Sequence, residues 1–268
     1  MDTLRYYGDL ARYFLRINLK RSISYYGKSF IWAYLAHVVG YIGSYITIWG
    51  AMRSFDGLGG WSIREVVFLY SIDLLTYALA QMFVQSFWNM DELVRKGKLD
   101  DYLLRPIHSL FYIVLYHIEY GYIAHISVAA CALVITLVTL PIAWSFVAVV
   151  SFIVAIIGGC LIQFVLGVLP SCMSFWTVES NNFQGIFRWT SRSFIQYPII
   201  IYPVALRFAI SFIVPVAFIN YYPYLSMLDK EQGIWIYGPL LALGIGAVLA
   251  FVTVKVWDVC VRRYSSSG

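Results

Sequence analysis

Chemistry in this chain starts with an aspartate inside an apolar run. Asp73 lies in the stretch Ile63 to Trp88, about ten residues from its N-terminal end, which is about 15 Å along a helix axis. His37 lies about eight residues into the preceding apolar stretch, Phe30 to Met52, or roughly 12 Å deep on the same scale. Run antiparallel, the two stretches bring these groups to similar heights. An ionisable group at membrane depth is costly and marks a functional site by default. Two readings stand. Either the residues are structural, as a hydrogen-bonded pair holding a hairpin or a protonated Asp73 facing a polar cavity, or they line a transport path. Gln81, Gln85 and Trp88 follow at spacings of four and three, which places them along one helix face. That face suits a partner helix or a pathway equally.

No catalytic set accompanies them. Gly27-Lys28-Ser29 has the form of the tail of a phosphate-binding loop, but Ser22 stands where the motif needs a glycine, and no strand precedes it. His108, His117 and His125 are nine and eight residues apart, which does not build one metal site. Cys131, Cys160, Cys172 and Cys260 lie in or beside apolar stretches without metal-ligand spacing and read as buried thiols. The expectation is no catalytic residue, no metal and no cofactor held by this chain.

The elements that position these residues are membrane helices. The chain is 61% hydrophobic and 12% charged, where soluble domains carry roughly 45–50% and about 25%. A bilayer core of about 30 Å needs around 20 apolar residues in a helix, and several continuous runs qualify. The expected fold is an all-α polytopic membrane protein with six transmembrane helices, a single domain over 1–268. Its spans are Phe30–Met52, Ile63–Trp88, Tyr122–Leu140, Ser145–Leu169, about Gln184–Leu206, and Ile234–Trp257. Phe55–Gly60 and Pro141-Ile142-Ala143 read as turns, and Pro170 as a kink. The third helix is expected to begin below the membrane near Ile107. Residues 207–228, with Pro215 and Pro223, read as a re-entrant or extracellular gate segment, since broken backbone at membrane depth survives only against protein or a water cavity.

Arg5, Arg12, Arg16 and Lys20 recur on one face from Leu4 to Ile23, so residues 1–27 are expected to form an amphipathic interfacial helix against anionic lipid. No apolar signal core is visible there. Of the 19 basic residues, only Arg53, Arg64, Arg207 and Lys230 fall outside the N-terminus, the loop after the second span, the stretch Glu179–Arg192 and the C-terminal end. The positive-inside rule therefore puts both termini in the cytoplasm of a cell membrane. Basic residues flanking apolar helices do not suit a nucleic-acid partner.

The densest charge lies between the second and third spans, in MDELVRKGKLDDYLLRPIHS, Met90 to Ser109, which must project into water. Lys96-Gly97-Lys98-Leu99-Asp100 runs there into Tyr102-Leu103-Leu104-Arg105-Pro106-Ile107. Further on come Phe175-Trp176, Pro198, Tyr202-Pro203, Ile213-Val214-Pro215 and Asn220-Tyr221-Tyr222-Pro223. On these elements the chain resembles, over essentially its whole length, the ABC-2 type permeases, the membrane subunits of ATP-binding cassette exporters.

The resemblance implies two permease subunits, as a homodimer or a heterodimer. It also implies two copies of a cytoplasmic ATPase subunit that bind ATP and Mg. Residues 89–109 then become a cytoplasmic coupling loop docked on that ATPase. Asp91, Glu92, Arg95, Lys98, Asp100 and Asp101 would make its polar contacts beside Arg105. Leu103 and Leu104 would anchor it, and Pro106 would restart the third helix. Export of a hydrophobic or cationic small molecule is the expected activity, with His37, Asp73, Gln81, Gln85, Tyr197 and Tyr202 on the path. The alternative is an ion-coupled secondary transporter using Asp73 and His37. It would place its site at broken helices of repeated halves, and no internal repeat is apparent.

Overall fold

The computed structural model describes residues 2–54, 59–177, 184, 185, 187, 192–230 and 233–264, the side chains of 2–4 and 23–30 apart. The turn over 55–58, the phosphate-loop-like Lys28 and Ser29 side chains, and most of the polar stretch Glu179–Arg192 lie outside the described residues. Ten helices are named here: α1 (Asp2–Ser54), α2 (Ile63–Val84), α3 (Met90–Arg95), α4 (Lys98–Leu103), α5 (Ser109–Tyr116), α6 (Ile123–Thr139), α7 (Phe146–Val168), α8 (Val204–Phe208), α9 (Ala217–Asn220) and α10 (Gly238–Arg263). No strand occurs among the described residues. Five helical stretches are long and apolar enough to cross a membrane: 31–54, 63–95, 120–139, 146–175 and 233–263. A bent pair, Val204–Ile213 and Ala217–Tyr224, brings the total to six when taken as one span.

The first departure from expectation is α1. The interfacial segment 1–27 and the first span form one helix without a turn between them. No proline lies within it, and an interior glycine costs only about 1 kcal/mol, too little to force a break. At 1.5 Å per residue such a helix has a contour of about 80 Å, far beyond a bilayer core of about 30 Å. Its N-terminal part lies against α5: Phe14 meets Tyr112 edge-on at 5.6 Å, and Asn18 donates to the Leu115 carbonyl at 2.9 Å.

Helix α2 begins at a capping box. The Ser62 side chain accepts from the Glu65 backbone, and the Glu65 carboxylate accepts from the Ser62 backbone. From there α2 runs through the middle of the bundle, with Phe68, Ile72, Asp73, Leu74, Thr76 and Ala78 fully buried. One core surrounds its N-terminal half. It includes Trp61, Phe68, Tyr70, Phe218, Ile219 and Tyr224. A second core closes its C-terminal end around Trp257, with Phe87, Met90, Leu99, Ile113 and Cys172.

Helices α7 and α10 approach closely because small residues face each other. A Cβ on Gly158 would sit 2.6 Å from the Ala242 carbonyl carbon and the Leu243 nitrogen. Gly246, four residues after Ala242, faces the Gly158 carbonyl in turn. This small-xxx-small pairing lets two backbones touch where apolar surface alone gives no drive to associate in lipid.

The expected fifth span, Gln184–Leu206, is not one straight helix. The described residues 192–195 are helical, but Pro198 and Pro203 interrupt the chain beyond them, and a 3-10 turn covers Ile199–Ile201. After α8 the chain widens into a π turn over Ala209–Ile213, then bends by 78° at Pro215 into α9. Asn220 ties the irregular region down: its amide donates to the Leu69 carbonyl at 3.1 Å and to the Ile195 carbonyl at 2.8 Å.

Gly158→Leu should destabilise the α7–α10 contact by roughly 1–3 kcal/mol, the usual cost of overpacking. Gly244→Leu, where a Cβ meets nothing within 4 Å, should leave stability unchanged. Thermal unfolding of both variants in detergent checks this. Equal melting temperatures would remove the close-packing argument.

Candidate functional site

Asp73 is completely buried on α2. Its Oδ1 accepts from the Gln163 side-chain amide of α7 at 3.0 Å, while Oδ2 has no hydrogen-bond partner. The expected pairing with His37 does not form. His37 faces outward on α1, its Nδ1 bonded to the Ala33 carbonyl at 2.7 Å, and its ring lies 5.0 Å from His125 of α6. The helix hairpin is held by other groups. Tyr45 bonds Ser71 between α1 and α2 at 2.8 Å, and Tyr34 bonds Ser127 between α1 and α6 at 2.9 Å.

Beside Asp73 the structure opens a cleft of about 650 Å³ between α1, α2 and the segment 192–196. From α1 come Ala36, His37, Gly40, Tyr41 and Ser44, which share one helix face. Opposite stand Tyr70, Tyr77, Trp88 and Arg192. The Arg192 guanidinium lies 3.9 Å over the Tyr77 ring and shares the cleft wall with Tyr41. Sequence reasoning set Arg192 in a cytoplasmic stretch and did not connect it with Asp73. The signal that could have linked them was an arginine just before a proline-broken apolar run.

Gln81 and Trp88 line a smaller adjoining cleft with Gln163 and Arg192. Gln85 does not join them. The helix tightens to 3-10 geometry over Gln85–Asn89, and Gln85 instead accepts from the Tyr122 hydroxyl and lines a separate recess. Tyr197 and Tyr202 line neither cleft and pack on the first core, Tyr202 edge-on to Phe194 at 5.5 Å. Among the described residues no three His, Cys, Asp or Glu side chains converge to hold a metal.

The segment expected to project freely as a loop is folded. Helices α3 and α4 are joined at Gly97, whose φ of +64° suits glycine and would strain other residues. Met90 and Leu99 are fully buried in the second core, around Trp257. Leu103 packs half-buried against that core, so it anchors the segment to its own protein, whereas Leu104 is 82% exposed. Arg95, Lys98, Asp101, Arg105 and Pro106 are exposed; Asp91, Glu92 and Asp100 are half-buried. Glu92 is paired with Lys96 one turn on. Pro106 does not restart the third helix. It lies in a bend closed by the Ile107 amide donating to the Arg105 carbonyl, and α5 begins at Ser109.

Helix α5 gathers the ends of several helices. The Tyr102 hydroxyl of α4 bonds His117 at 3.1 Å. At the other end His108 bonds Asp258 at 2.9 Å, and the Trp257 indole donates to Ser109 at 3.0 Å, both on α10. The continuous third helix expected from Ile107 to Leu140 breaks after Tyr116, because Glu119 caps a new start at Gly121 and donates its amide to the Met82 carbonyl of α2. Helix α5 thereby touches α1, α2 and α4 and is bonded at its N-terminal end to α10. Burial, and then the Arg21 charge, hold His117 below its ordinary pKa of 6.5.

Comparison with known proteins adds one finding. The family described as ABC-2 family transporter protein matches residues 38–268. No curated protein and no solved structure matches the chain.

Gln163→Leu should leave the buried Asp73 carboxyl with no side-chain donor and cost roughly 1–3 kcal/mol. Adding Asp73→Leu should recover most of that loss, and a double-mutant cycle of melting temperatures reads the coupling. Purely additive losses would mean that the pair does not interact. His117 has a second consequence. Its lowered folded-state pKa favours the neutral ring, so its contribution is complete above pH 6.5 and is lost as pH falls below it. A flatter acid-side decline in melting temperature for His117→Gln checks this, and an unchanged slope would contradict it.

Proposed function

Because this chain belongs to the ABC-2 family of transporter proteins, multi-pass membrane permease subunits that work with an ATPase subunit, we propose that it exports a hydrophobic small molecule at the expense of ATP. Two copies of the cytoplasmic ATPase bind the ATP and Mg. A second permease subunit, identical or related, completes the pathway. Both termini and the α3–α4 segment face the cytoplasm of the cell membrane.

The observation that carries the reading is the built connection from surface to span. Leu104 stands exposed at the tip of a folded segment whose underside, through Met90, Leu99 and Leu103, belongs to the second core. An apolar side chain presented this way, ringed by Arg95, Lys98, Asp101 and Arg105, suits a groove in a partner protein. Force applied there reaches the spans through α5. The membrane portion of α1 also favours a second subunit, for Trp32 is 73% and Val39 68% exposed within one chain. Of the two cargo chemistries expected, the hydrophobic one suits the cleft better, since Asp73 is walled off and offers no carboxylate to a cation. The same arrangement speaks against ion coupling through a His37–Asp73 pair.

Co-expression with the cognate ATPase tests the reading. The wild-type chain should retain the ATPase through purification in detergent, and Leu104→Asp should lose it while keeping its melting temperature. ATPase retained by the variant would remove the docking site. No ATPase on the wild type would count against the whole exporter.

A further inference from the structure

Arg192 is the charged side chain at the wall of the principal cleft, and it lines the adjoining one as well. An ionised group at membrane depth requires a reason. Asp73 supplies part of it, offsetting the guanidinium from behind the wall, but Asp73 is fully buried, is bonded to Gln163 and lines neither cleft. No carboxylate among the described residues forms a salt bridge with Arg192. A guanidinium carries five N–H donors in a planar fork that matches a carboxylate or phosphate in two-point contact. The Tyr77 ring covers one of its faces at 3.9 Å, and Tyr41 lines the cleft beside it.

The rest of the cleft suits an apolar body. Tyr70, Tyr77 and Trp88 offer aromatic surface, while α1 contributes the small residues Ala36, Gly40 and Ser44. A Cβ on Gly40 would meet nothing within 4 Å, so the space on that side is open. The volume, about 650 Å³, falls within the range of roughly 300–1,000 Å³ typical of small-ligand sites.

We propose that this cleft binds an amphipathic anion, its acidic group on Arg192 and its apolar body between the aromatic wall and the small-residue face of α1. That this ligand is the cargo rests on the exporter reading above; the binding site itself does not. The acidic group could belong to a free amphipathic acid or to an anionic lipid headgroup, and the chemistry at Arg192 is the same.

The test uses the purified full chain in phosphatidylcholine nanodiscs, titrated with dansyl-labelled undecanoic acid, its methyl ester and the corresponding amine. The acid should bind saturably, with an affinity about tenfold above both analogues, as expected for a charge-assisted contact. Arg192→Gln should abolish the preference and Arg192→Lys should keep part of it. Gly40→Trp fills the cleft from the open side without touching Arg192 and should abolish binding, which serves if the arginine variants do not fold. Displacement of the probe by phosphatidylglycerol in the disc assigns the anion to a lipid headgroup; no displacement assigns it to a free acid, and either supports the site. Equal binding of acid, ester and amine overturns the proposal, as does acid binding that survives Gly40→Trp. ATPase retention is measured on the same preparations. Its loss with acid binding intact would sink the exporter reading alone, and the reverse result would sink this site alone.

Discussion

Helix α2 is buried along most of its length, and each neighbouring element is registered on it by a polar contact. Asn220 of the broken segment reaches the Leu69 carbonyl, Tyr45 of α1 reaches Ser71, Gln163 of α7 reaches Asp73, and the Glu119 amide before α6 reaches the Met82 carbonyl. Interhelical hydrogen bonds in membranes average only about 0.6 kcal/mol, so their sum does not hold the bundle together. Their importance is directional. Lipid competes with helix–helix contacts for apolar surface but offers no partner for an amide, and a slipped register would leave these groups unpaired at several kcal/mol each. Close packing at Gly158, Ala242 and Gly246 supplies the attraction, and the polar contacts choose the arrangement.

The two cores divide the labour along the length of α2. The first core surrounds the proline-broken segment and stacks its aromatics, as in the 3.9 Å overlap of Tyr222 with Trp235. The second core binds α3, α4 and α5 to the C-terminal ends of α2, α7 and α10 through Trp257, which meets Phe87 and Phe175 edge-on. A segment seated in a packed core moves as a body, because such interiors do not deform continuously. Leu104, just past the end of α4, is carried by that body while its own side chain stays exposed.

Much of the architecture was legible because lipid imposes it. Apolar run length revealed five of the spans, Pro198, Pro203 and Pro215 marked where the backbone breaks, and charge density marked the folded segment between the second and third spans. The site was less legible. Spacing placed Gln81, Gln85 and Trp88 on one face, yet the 3-10 turn at Gln85 sends Gln85 elsewhere. Matching depth suggested His37 with Asp73, but depth fixes only one coordinate. Rotation of each helix about its axis turned His37 toward His125 and Asp73 toward Gln163.

By itself, then, the sequence determined what the bilayer reads: which residues are apolar enough to cross, where proline forbids regular helix, and which charges must stay in water. The family resemblance rested on particular motifs, above all Leu103-Leu104-Arg105-Pro106 after the second span, and the family match over 38–268 bears it out. Only the tertiary structure decided which faces meet. Arg192, Tyr41 and Tyr77 are far apart in the chain and become neighbours only when the broken segment folds back against α1 and α2. The continuity of α1 and the burial of Leu103 were decided there too. The physical reason is that hydropathy is a property of single residues summed along the chain, whereas a cleft is a property of helix rotation and close approach, set by packing between segments distant in sequence.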